Sequence, residues 1–291
     1  MNQKTQENPS FDISEIASSI KKDLKQNQKE NKKTDHERKE TENYLFTGIE
    51  GFDKLLKQGI PKGINIIVEG NAGSGKTIFS LQMLAHHASK GKKCLFISFE
   101  ESKDQLIQHM DEFGWNPTSL LESGNLVIKR YLTSEIYYEE DKQSNAVHAM
   151  MAKNSSHLLL DLEPFIIGEE GFKPDITVID SLTAIASTFQ DKPGGYRFYL
   201  ERLFRFFEGL GSTNFLVTEP TGLPFQSQCE RFLSDGIIIL YNARRGNIRE
   251  NAVEILKMRG APHEKKVVAL KITDDGIIVY PEQEVFGEIE H

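Results

Sequence analysis

The residues best suited to chemistry lie together in one stretch, EGNAGSGKTIFS, residues 69–80. Gly70, Gly75, Lys76 and Thr77 fit the spacing G-x-x-x-x-G-K-[ST], with Asn71, Ala72, Gly73 and Ser74 between them. Phosphates carry dense negative charge. Main-chain N–H groups meet them closely where no Cβ intervenes, which is the use of Gly70, Gly73 and Gly75. The start of a helix adds unpaired N–H groups and the positive end of a dipole. Lys76 then serves as a point charge for the β- and γ-phosphates of a nucleoside triphosphate, and Thr77 offers its hydroxyl to Mg2+.

Further polar residues sit where strand-like runs end. DITVIDS (175–181) closes on Asp180, which can hold Mg2+ through a water or cap the helical pattern that begins after Ser181. FISFEES ends on Glu100 and Glu101, either a general base with its tuning partner or two acids favoured at the start of a helix. NFLVTE ends on Thr218 and Glu219, a γ-phosphate sensor or a surface turn. In ILKMRG, Lys257 and Arg259 fall on one side of a strand and Met258 on the other.

Such residues need a scaffold that brings strand ends together. Strands are predicted at INIIVEG, KCLFISFE, NLVIKRYL, DITVID, NFLVTE and GIIILYN, then at AVEILKMRG, VVALKIT and GIIVYP. Helical patterns occupy 76–89, 102–113, part of 145–170 and 196–210; in the first, Ile78, Leu81, Leu84 and Ala85 share a face. Alternating strands and helices predict an α/β fold, a mostly parallel twisted sheet covered on both faces. The short link DDG predicts antiparallel hairpins at the C-terminal end. No internal repeat is present, and residues 133–174, long for one crossover, carry no readable function.

The 291 residues allow one large domain with an appendage. Between Lys25 and Asn43 there is no apolar side chain, so residues 1–43 are expected to be a disordered polar tail. Within it, Ile13, Ile16, Ala17, Ile20 and Leu24 line one face of a short helix over 11–24, a transient element or a docking site for a partner protein. Residues 44–291 form the expected catalytic domain. The net charge of -8 argues against nucleic-acid binding. Cys94 and Cys229 fit no metal motif or disulfide framework. The polar N-terminus and the lack of any apolar run near ~18 residues predict a soluble cytoplasmic protein with no membrane contact.

Taken in order, TGIEGFDKLLKQGIPKG, GNAGSGKT, FISFEES, VIDSLTA, LSDGIIIL, EILKMRGAPHE and ITDDGIIVYP resemble the KaiC-like branch of the RecA superfamily of ATPases, over about residues 45–285. The resemblance implies a RecA-like core that binds and slowly hydrolyses ATP with Mg2+. It also implies a homo-oligomeric ring, usually a hexamer, with nucleotide between subunits. Glu100 and Glu101 correspond to the family's water-activating pair. Lys257 and Arg259 correspond to a pair that acts on the neighbour's γ-phosphate. Arg231 and Phe232 stand where the family's self-phosphorylating half carries adjacent hydroxyls, which argues against an autokinase. Two other readings compete. One is a RecA/RadA-type DNA recombinase, although TGLPFQSQCERF (221–232), placed where a DNA loop would be, has few basic residues. The other is a nucleotide-binding module without hydrolysis.

Overall fold

A nine-stranded sheet carries all the strand ends named above. The computed structural model describes residues 43–133, 171–189, 193–220, 224–245 and 248–285. The expected tail over 1–43, its helix over 11–24, the helix within 145–170 and most of 133–174 lie outside the described residues.

Five parallel strands adjoin one another: β3 (Asn65–Gly70), β7 (Thr213–Thr218), β6 (Ile176–Asp180), β4 (Cys94–Ser98) and β5 (Leu126–Arg130). β8 (Gly236–Arg245) joins β3 in parallel, and β9 (Ile248–Met258), β10 (Val268–Thr273) and β11 (Gly276–Glu284) follow as antiparallel neighbours. The α/β reading and the antiparallel C-terminal end both hold. A separate pair, β1 (Tyr44–Leu45) and β2 (Ile60–Pro61), is too short to leave a periodic signal.

Strand side chains alternate between two apolar layers. Ile66 and Val68 face one layer, Ile67 the other; Cys94 and Phe96 share the first, Leu95 and Ile97 the second. The first layer is covered by α1 (Lys76–Ser89), α2 (Lys103–Glu112) and α3 (Pro117–Glu122). The second is covered by α4 (Leu182–Ser187) and α5 (Pro193–Leu210). In α5, Tyr196, Leu200, Leu203 and Phe207 are buried at helical spacing.

Two expectations need correction. Helix α1 buries more than the face Ile78, Leu81, Leu84 and Ala85: Ile78 is half-buried, whereas Phe79, Ser80 and Met83 are buried. The helix packs on the sheet as far as its edge strand β11, where Gln82 exchanges two hydrogen bonds with the backbone of Ile277. Residues 221–232, which the recombinase reading places where a DNA loop would be, are helical from 224 onward. This helix, α6 (Pro224–Leu233), starts with proline, whose fixed φ suits the first helical turn.

Candidate functional site

The glycine loop sits at the C-terminal end of β3, where Gly70 pairs with Leu240 of β8. A Cβ on Gly70 would lie 2.3 Å from the Leu240 carbonyl oxygen and 2.5 Å from Ser74 Oγ. Gly73 and Gly75 have φ of 75° and 96°, the left-handed region that glycine adopts without strain. Gly75 precedes α1, no side chain caps that helix, and its first turn contains no acid. Its N-terminal N–H groups and dipole therefore form an anion site with no internal counter-charge. Ser74 Oγ is buried without a partner at the base of this loop. Asn71, Ala72 and Gly73 form the exposed rim.

Lys76 is buried beneath the rim. Its Nζ donates to the Asn71 carbonyl at 3.0 Å and to Glu219 Oε1 at 2.9 Å. Thr77 Oγ1 donates to Asp180 Oδ2 at 2.7 Å. Asp180 ends β6, and burial pushes its carboxyl up to about 6; Glu100 and Glu101 add to the rise, while Thr77 and Lys76 oppose it. A buried carboxylate kept in this state suits a cation. Among the described residues no group of three or more His, Cys, Asp and Glu side chains is placed to hold a metal. Thr77 and Asp180 fit Mg2+ when phosphate oxygens complete the coordination shell. The orphaned Ser74 hydroxyl, the glycine cradle and this pair together fit a Mg2+–triphosphate.

The alternatives left open at the strand ends now separate. The N-cap of α4 is Ser181, whose Oγ accepts from Ala184 N, so Asp180 is not the cap; the peptide joining them is cis. The N-cap of α2 is Ser102, in a capping box with Gln105, so Glu100 and Glu101 precede the helix. The two glutamates diverge. Glu100 is exposed and accepts a hydrogen bond from Ser181 Oγ, beside Asp180. Glu101 turns to His109 Nε2 at 2.9 Å, and its backbone is held by Ser98 Oγ.

Thr218 is neither an open sensor nor a surface turn. It is buried and donates to Glu230 Oε2 at 2.9 Å, while its neighbour Glu219 takes the contact with Lys76. Of that pair it is Glu219 that reaches the cradle, and Glu230 was not among the expected site residues. Glu219 was marked in sequence as the end of the strand NFLVTE; Glu230 carries no such signal.

Lys257 and Arg259 do not join the cradle of their own chain. Ile237 of β8 pairs with Lys257, and Gly236 pairs with both Met258 and Ile66. The pair therefore marks the opposite edge of the sheet from Gly70. Four residue steps separate Ile66 from Gly70, about 13 Å at strand spacing. Met258 is buried and the two cations are not, in keeping with the predicted alternation. Burial pulls the Lys257 ammonium down from its ordinary pKa, and nearby Arg259 adds to the shift. Arg259 is held by Asp235 at 3.3 Å. Cys94 and Cys229 are both buried and free.

Strand order, loop and helix define a RecA-like P-loop domain. Comparison with known proteins narrows this: the family description "ATPase: KaiC" matches residues 45–284, so the chain belongs to the KaiC ATPase family. The chain is 32% identical over 239 residues to a circadian clock oscillator protein KaiC of Parathermosynechococcus lividus, covering 81% of this chain and 42% of that protein. It is 31% identical over 261 residues to the Acaryochloris marina protein of the same name, covering 88% and 47%. It thus spans about half the length of these relatives. A crystal structure of a KaiC-like protein from the archaeon Pyrococcus horikoshii superposes with a TM-score of 0.67 at 26% identity, covering 82% of this chain and 99% of that one. Among the described residues no helix is long and apolar enough to cross a membrane.

Proposed function

We propose that this protein binds and slowly hydrolyses ATP·Mg2+ in sites shared between copies of itself, in a ring that serves as a cytoplasmic regulatory scaffold. The observation that carries this reading is the placement of two half-sites at opposite sheet edges. The cradle, Lys76, Thr77 and Asp180 lie at one edge, and Lys257 and Arg259 lie at the other, out of reach of their own cradle. Stacking one copy's cradle edge on another copy's Lys257 edge completes a site, and repeating the contact closes a ring.

Within a site, the amides around Gly73 and Gly75 and the start of α1 hold the phosphates. Lys76 exchanges Glu219 for the β- and γ-phosphate oxygens. Bound Mg2+ would supply charge neutralisation on those oxygens. Glu100, fixed by Ser181, holds the attacking water and takes its proton, with Glu101 set behind it by His109. The neighbour's Lys257 and Arg259 offset charge on the departing phosphate. Arg231 is already forked onto Glu69, and Phe232 has no hydroxyl, which leaves this segment without the autokinase's phosphate acceptors. The DNA-recombinase reading loses ground because residues 224–233 form a helix with Gln226, Cys229 and Glu230 buried, not a basic loop. Residues 1–43 remain the proposed contact for a partner protein.

The test mixes Lys76→Ala with Arg259→Ala subunits, with mixing and stoichiometry checked by native mass spectrometry in ATP·Mg2+. Each parent is expected to be inactive, and mixed assemblies should recover activity at sites that pair an intact cradle with an intact Arg259. Confirmed mixing without any recovery would refute the shared site.

A further inference from the structure

One helix touches both sheet edges. α6 leaves the cradle edge after β7 and ends at the start of β8, beside Lys257. At the cradle end, Glu230 is 1% exposed and accepts hydrogen bonds from Thr218, Tyr196 and Gln226. Arg231 forks the carboxylate of Glu69, with Nε to Oε2 at 2.8 Å, and Glu69 directly precedes Gly70. At the far end, Lys257 Nζ donates to the Arg231 carbonyl at 3.0 Å and to the Ser234 carbonyl. Those carbonyls lie at the negative end of the helix dipole, where an ammonium is favoured. The Asp235 carbonyl and carboxylate hold the backbone and guanidinium of Arg259. Consecutive residues of one helical turn are thus tied to the phosphate loop, and the carbonyls that follow carry the outgoing cations.

The tie at Glu230 lies one residue from the cradle's contact with Lys76. Thr183 Oγ1 accepts from Glu219 N at 2.8 Å and meets Thr218 Oγ1 at 3.2 Å, so residues 218 and 219 are braced together. Glu219 is the residue that holds Lys76. A phosphate that takes the Lys76 ammonium removes the counter-charge of Glu219, one residue from the hydroxyl bonded to Glu230. A cavity of about 110 Å3 between α6 and the loop is lined by Asn71, Pro220, Ser227 and Arg231. Burial pushes the Glu230 carboxyl up from the ordinary range, and its hydrogen-bond donors oppose the shift. Packing alone would be served more cheaply by an apolar side chain.

We propose that Glu230 is a positioning residue and α6 the relay it drives: occupancy of a subunit's own cradle sets where that subunit presents Lys257 and Arg259 to the next site. The proposal rests on the shared-site reading above and adds a direction of communication around the assembly.

Hydrogen exchange on the full chain tests it, without nucleotide and with a non-hydrolysable ATP analogue and Mg2+, in wild type and Glu230→Gln of matched stoichiometry. In wild type, exchange should slow over residues 70–77 and change by about tenfold over 255–259. In Glu230→Gln, the slowing over 70–77 should persist and the response over 255–259 should vanish, with turnover falling to that of Lys257→Ala. Tyr196→Phe keeps the ring and removes one donor to Glu230; it should weaken the response over 255–259 and serves if Glu230→Gln does not fold. An unchanged response over 255–259 in these variants, or none in wild type, overturns the relay. Absence of slowing over 70–77 in wild type would overturn nucleotide binding itself, and the relay with it.

Discussion

Replacing Asp180 by Asn should make the nucleotide-free protein more stable while removing its hydrolytic activity. Burial, with Glu100 and Glu101 nearby, lifts the Asp180 carboxyl from 3.8 to about 6. The folded state then binds this proton more tightly than the unfolded state, so stability falls as pH rises from about 3.8 to about 6 and stays reduced above. Two pKa units correspond to ~3 kcal/mol, to be taken as an order of magnitude, and roughly half of it is in place at pH 5. Asparagine carries no charge, and its carbonyl can still accept from Thr77 Oγ1. The gain should read as about 2–4 °C in Tm per kcal/mol for a domain of this size. Thermal unfolding without nucleotide or Mg2+, at pH 5 and pH 8, measures it: the advantage of Asp180→Asn should grow with pH. Added Mg2+–ATP should stabilise wild type more than the variant. A variant less stable than wild type at pH 8, or an advantage that shrinks with pH, would refute the account of Asp180 as a buried carboxylate that Thr77 and Lys76 only partly offset.

Glu100→Gln should lower turnover by about 100-fold or more with nucleotide affinity unchanged, because Ser181 holds Glu100 beside Asp180, the residue bonded to Thr77 of the cradle. Glu101→Gln should cost less, because its carboxylate faces His109; equal losses in phosphate-release assays would show that the divergence has no chemical meaning. Gly70→Ala would force a Cβ to within 2.3 Å of the Leu240 carbonyl oxygen, so calorimetry should show ATP affinity reduced by at least about tenfold. Affinity at the wild-type level would mean that the close backbone approach at residue 70 is not needed.

The phosphate cradle could be read from sequence because its parts are contiguous. A strand, a glycine-rich loop and a helix start within residues 65–89 specify their geometry through local backbone preferences. Asp180 was legible for a related reason: a polar residue closing an apolar run marks a strand end, and in a parallel sheet such ends share one edge. The strands themselves and the cover of helices on both faces followed from period-two and period-3.6 patterns, whereas the order of the strands in the sheet did not.

Tertiary structure decided what depended on residues far apart in the chain. Glu100 and Glu101 are adjacent, yet Ser181 takes one and His109 the other, and local pattern carries no trace of either choice. Lys76 meets Glu219 across 143 residues, and the Thr218 hydroxyl is drawn inward by Glu230, a charged residue buried on a helix that sequence did not mark. The alternation of Lys257, Met258 and Arg259 is local, but their distance from the cradle is not. It follows from β9 running antiparallel to β8 while β8 runs parallel to β3, which puts the same strand's end at the opposite edge. Periodicity along a chain says which way a side chain faces; the pairing of strands, set by packing across the whole sheet, says what it can reach.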